Sequence, residues 1–97
     1  MMKRIESHEF KLIGEWNLVE GKVIGNYVCE RIMQLTDNYL QKLATDSSGW
    51  DVLFKDPNDG RYWELIYPQS YMHGGGPPTL ECIPEYVAFQ KYYYNKQ

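Results

Sequence analysis

Long apolar runs are missing from this chain of 97 residues. No window approaches the ~20 consecutive apolar residues that a membrane-spanning helix needs. Met1-Met2-Lys3-Arg4 leads into Ile5-Glu6-Ser7-His8 and not into an apolar signal core, so the chain reads as a cytoplasmic protein with no membrane partner. Cysteine is scarce. Cys29 and Cys82 stand far apart, neither with a second cysteine two residues away, which excludes a CxxC zinc or redox motif and points to two reduced, buried thiols. Positive charge is also short: 10 Lys and Arg against 13 Asp and Glu give a net charge of -3. A surface without clustered cations is not built to neutralise phosphates, so no nucleic-acid partner is expected. An acidic surface favours a basic partner instead.

Aromatic residues, by contrast, are abundant. Nine Tyr, three Trp and three Phe exceed what one small core requires, and Tyr and Trp are the residues enriched at interface hot spots. The apolar fraction of 43% with 24% charged residues is that of a globular chain. Its length suits one hydrophobic core, so residues 1–97 are expected to form a single domain.

Phe10, Leu12, Trp16 and Leu18 fall at even spacing, interrupted by Gly14, and predict a short first strand; Gly21 supports a turn. Ile24, Tyr27, Val28, Ile32 and Leu35 recur every three or four residues, which predicts a helix over 26–36 with this stripe on its core face. Asp46-Ser47-Ser48-Gly49 and Asp56-Pro57-Asn58-Asp59-Gly60 are turn signals. They separate three predicted antiparallel strands, about 39–45, 50–55 and 61–67. With Asp56 opposite Arg61, Phe54 pairs with Trp63, Val52 with Leu65 and Trp50 with Tyr67 on a core face. The other face carries Asp51, Leu53, Lys55, Tyr62, Glu64 and Ile66. That mixture suits either a binding surface or a half-solvated face with a Lys55–Glu64 pair. Pro84, followed by Tyr86, Val87, Phe89, Gln90 and Tyr93, predicts a second helix over 84–93. The fold class is therefore α+β: a small antiparallel meander of three to four strands packed against one or two helices.

Residues that could carry chemistry are few. Asp56, Asn58, Asp59 and Glu64 resemble a calcium loop, but Gly60 falls one position early and Glu64 three early, so a tight turn is the better reading. The run His73-Gly74-Gly75-Gly76-Pro77-Pro78 can be neither helix nor central strand. It lacks the Gly-Lys-Ser/Thr ending of a phosphate loop, which leaves a shaped surface loop. His73 has no Ser or Cys nucleophile with an orienting acid nearby in sequence, and no third ligand for a metal shared with Glu64. Catalysis by His73 with Glu64 or Asp59, as in a small hydrolase, is one alternative. A regulatory module that takes a peptide along an open sheet edge is another. The residues favour a binding protein over an enzyme.

Ser48-Gly49-Trp50, the stretch Asp56 to Glu64 and the loop His73 to Pro78 together resemble the Imm27-type immunity proteins of bacterial polymorphic toxin systems. The resemblance extends more loosely to the Trp16 strand, to Arg31, Ile32 and Leu35, and to the Tyr-rich C-terminus. It implies a non-enzymatic antitoxin that binds a cognate toxin domain and needs no cofactor. The partner-binding candidates under this resemblance are Asp59, Arg61, Tyr62, Glu64, His73, Gly74, Gly75, Gly76 and Pro77.

Overall fold

The computed structural model describes residues 4–69 and 76–92. In chain order the elements are β1 (Lys11–Ile13), β2 (Trp16–Val19), β3 (Lys22–Gly25), α1 (Tyr27–Asn38), β4 (Gln41–Thr45), β5 (Val52–Lys55), β6 (Tyr62–Ile66), β7 (Thr79–Ile83) and α2 (Glu85–Tyr92). An antiparallel sheet runs β1-β7-β6-β5-β4, and β2 and β3 form a separate two-stranded ribbon. The α+β class stands, with more strands than the sequence predicts.

The central register is the expected one. Val52 lies opposite Leu65 and Phe54 opposite Trp63. These side chains face α1, where Ile32 and Leu35, both at 0% exposure, meet Leu12, Leu80 and the wholly buried Trp63. The helix starts where Asn26 accepts a hydrogen bond from the Cys29 amide on its side-chain oxygen at 3.0 Å, a standard N-cap. Only part of the predicted stripe is core: Ile32 and Leu35 are buried and Val28 packs beside them, whereas Tyr27 is exposed and Ile24 belongs to β3.

Two further expectations are corrected, and one strand is added. The single strand through Phe10–Leu18 is two strands in different sheets. The break falls at Gly14, whose amide donates to the Pro78 carbonyl at 2.9 Å; a Cβ there would lie 2.7 Å from both that oxygen and Cys29 Sγ. The five residues after Pro78 are strand β7, in which Leu80 and Cys82 turn toward the α1 side. Trp50 is also not core. It lies before β5, 56% exposed, with its ring edge-on to Tyr67 at 5.9 Å.

The largest change concerns the second face of the sheet. Helix α2 lies across it, and Ala88 and Tyr92 pack on Leu53 and Tyr62. Pro84 contributes the carbonyl that accepts from Val87 and Ala88, both at 3.1 Å, so the helix begins one residue after it. The sheet is therefore a middle layer between two helices. The face open to either reading in the sequence is a second core. No Lys55–Glu64 pair forms: Lys55 lies opposite Tyr62, with its ammonium 5.6 Å from that ring, and Glu64 is paired with Lys91.

Residues 4–10 are strapped onto the α1 side. Ile5 enters the core. Arg31 grips both carboxylate oxygens of Glu9 at 2.8 and 2.9 Å and the Arg4 carbonyl at 2.8 Å. Both cysteines are free; Cys29 is buried and Cys82 half-buried, with burial pushing the Cys82 thiol pKa up. No helix among the described residues is long and apolar enough to cross a membrane.

Candidate functional site

The residues singled out by sequence divide between the two ends of β6. The turn from Asp56 to Arg61 precedes the strand, and Pro68 and Gln69 follow it, so the five residues of β6 hold the two candidate regions apart. Among the described candidates, Asp59 and Arg61 lie at one end of β6 and Gly76 and Pro77 beyond the other.

At the turn, Gly60 takes φ 78°, its amide donates to the Asp56 carbonyl at 2.8 Å, and the Asp56 amide donates to the Arg61 carbonyl at 2.9 Å. The Asp56 side chain is buried and accepts from the Tyr39 hydroxyl at 2.7 Å and the Asn58 amide at 2.8 Å. Burial and that hydroxyl's bond to the Asp56 carboxylate push the Tyr39 pKa up to about 12. Asp59 is exposed. Partial burial alone would raise its pKa, but hydrogen bonds from the Arg61 amide and guanidinium at 3.0 and 2.7 Å outweigh it and hold the carboxyl below the usual range. Arg61 itself is committed to structure. Its guanidinium lies 5.0 Å from the Trp63 ring and 5.3 Å from that of Phe10, and it donates to the Glu9 and Glu6 carbonyls at 2.6 and 3.1 Å.

Tyr62 and Glu64 lie beneath α2, at 9% and 7% exposure. Tyr62 meets Phe89 edge-on at 5.8 Å, and its hydroxyl donates to Glu85 at 3.5 Å. Glu64, 7% exposed, accepts from the Tyr92 hydroxyl at 2.8 Å and from the Lys91 ammonium, which also reaches Asp51 at 2.8 Å. Desolvation opposes the Lys91 charge, but hydrogen bonds to Asp51 and Glu64 prevail and raise its pKa. Burial and the bond to Glu64 raise that of Tyr92.

These phenols give stability a defined alkaline limit. Ordinary Tyr titrates near 10, so above that pH the unfolded chain releases protons that the folded chain retains. Stability contributed by Tyr39 is fully present below pH 10 and is lost as pH rises through about 12, and that contributed by Tyr92, whose pKa is raised further, is lost at still higher pH. Urea midpoints measured from pH 8 to 12 should fall above pH 10, and Tyr39→Phe should shallow the decline.

Gly76 and Pro77 are buried at the other end of β6. Gly76 takes φ 73°, and a Cβ there would sit 2.4 Å from the Gln69 carbonyl oxygen. Gly76 thus lies directly against Gln69, with no room for a side chain. Gly76→Ala should cost about 1–3 kcal/mol, read as a lower urea midpoint. His73, Gly74 and Gly75 lie outside the described residues.

The sequence reading missed the surface beside that loop base, the β2–β3 ribbon. Glu20 and Gly21, at φ 51° and 79°, form a two-residue turn of the type that matches strand twist. The ribbon is rooted in α1: the Asn26 amide donates to the Glu15 carbonyl at 2.8 Å, and the Glu15 amide donates back to the Asn26 side chain at 3.3 Å. Leu18, Val19, Val23 and Ile24 are all exposed along it. A recess of about 350 Å³ lined by Gly14, Glu15, Trp16, Gln69 and Pro77 joins its root to the loop base. The signal available in the sequence is Val23-Ile24 after Gly21, of which the helical stripe takes Ile24.

Among the described residues no three His, Cys, Asp or Glu side chains converge as a metal site. A surface of exposed apolar and aromatic groups on a firmly packed scaffold is that of a protein-binding module. The model of one family, immunity protein 27, matches residues 18–84, more than two thirds of the chain. The chain belongs to the immunity protein 27 family. The match takes in the ribbon from Leu18 onward, α1, β4 to β7 and Pro84, and ends before α2. Neither the curated proteins nor the solved structures offer a match.

Proposed function

We propose that this protein neutralises a cognate bacterial toxin domain by binding it in a stoichiometric, non-covalent complex in the cytoplasm. The family match over residues 18–84 is the observation that carries this reading. The composition agrees with it: an acidic chain with a surplus of Tyr and Trp is suited to a basic protein partner.

The end of the sheet that bears the β2–β3 ribbon, the base of the loop 69–76 and the exposed Trp50 supports the contact better than the opposite end. At that opposite end Arg61 is tied to the strap, and among the described candidates Asp59 is the exposed one. The reading keeps the loop that carries His73 to Pro77 as part of the interface. Strand addition of a peptide is the weaker alternative. Edge strand β4 has an irregular register between Lys42 and Ala44, and the other edge, β1, has three residues, both of which blunt pairing with an added strand.

Co-expression tests the proposal. Cells that express the toxin domain encoded next to this protein's gene should regain growth when this chain is produced with it. Continued growth arrest at full expression of both would refute the function.

A further inference from the structure

We propose that the β2–β3 ribbon is the element that enters the toxin, inserting between the walls of a basic cleft; this rests on the function proposed above. Register sets the argument. Leu18 lies opposite Val23 and shares a face with Trp16, whereas Ile24 lies opposite Asn17 and shares the other face with Val19. Leu18 is 74% exposed and Val23 62%, and Val19 and Ile24 are each 47% exposed. Both faces of the ribbon thus carry exposed apolar side chains, Leu18 and Val23 on one and Val19 and Ile24, beside Asn17 and Lys22, on the other. A flat partner could cover only one, and a cleft covers both.

The ribbon is also braced at both ends. Its turn is a tight two-residue loop, and reciprocal bonds between Glu15 and Asn26 fix its root to the capped end of α1. Little ordering entropy remains to oppose insertion. Glu20 is the one residue other than glycine with positive φ among the described residues. The left-handed region favours Gly or Asn, yet here it holds a carboxylate at the ribbon's tip.

Charge identifies the occupant. Glu15, Glu20 and Glu30 are exposed on the ribbon and the adjoining turn of α1, against Lys22 as the exposed cation of the same segment, and Arg31 is engaged with Glu9. A second copy would bring the same acids face to face and be repelled. A basic cleft would be attracted and its encounter accelerated.

The test uses the full chain and the toxin domain encoded beside it. Leu18→Ser with Val23→Ser should leave the melting temperature unchanged and weaken binding by about 100-fold, as loss of a buried hot spot does. Glu20→Lys should slow association by about tenfold at low salt, a difference that shrinks as salt rises. Wild-type affinity in both variants would overturn the ribbon's role and leave the proposed function standing. Failure of the wild-type chain to bind would refute the function itself. A toxin-free dimer that the double serine variant dissociates, with toxin binding intact, would assign the ribbon to a second copy and overturn the proposal.

Discussion

Glu64→Lys is expected to cost about 3–5 kcal/mol of folding stability, as breaking one side of a buried charge pair does. The change removes the acceptor of the Tyr92 hydroxyl and of the Lys91 ammonium, and it lodges a second ammonium beside the first, beneath α2. Lys91 is 35% exposed, so solvent screens part of its attraction and the lost ion pair is the lesser component. The greater one is a new charge at a site with 7% exposure. Glu64→Gln keeps an acceptor for Tyr92 and should cost about 1–2 kcal/mol. Urea denaturation of both variants decides the matter. An unchanged midpoint for the lysine variant would mean that α2 does not cover this face in solution.

Trp63→Ala should cost about 3–5 kcal/mol, the range for removal of a large side chain from a close-packed core. Trp63 has no exposure, it packs with Ile32, Leu35 and Leu80, and its ring supports the Arg61 guanidinium that holds the strap. The variant should therefore loosen residues 4–10 as well as the sheet. At roughly 4–8 °C per kcal/mol for a domain of this size, the melting temperature falls by more than about 10 °C. Faster amide exchange at Glu9 would report the loosened strap, and wild-type melting would place Trp63 outside the core.

The central hairpin was legible because turn chemistry and alternation agree there: Asp56 to Gly60 sets the turn, and one assumed pairing, Asp56 with Arg61, reproduces the register through Val52 and Leu65. Both helices were legible, α1 from its periodicity and α2 from Pro84 at its start. What each face of the sheet touches was not. Alternation states that Tyr62 and Glu64 share a side, but only the return of α2 over the sheet decides that the side is buried, with a charge tolerated there because Lys91 arrives with it. Strand β7 was hidden by the prolines that flank it, Pro78 and Pro84, although Leu80 and Cys82 alternate. The ribbon was hidden for a different reason. An exposed apolar pair such as Val23-Ile24 reads in sequence as core, and its exposure is a property of the tertiary structure alone.

The family membership links these observations to an immunity function, and the exposed end of the sheet is the surface we propose for the contact. Titration of the purified protein into the co-encoded toxin domain, with the toxin's own activity as readout, tests that account most directly. A one-to-one endpoint with complete loss of activity at nanomolar concentrations is expected, since neutralisation must outlast exposure. Full toxin activity in the presence of excess protein would contradict it.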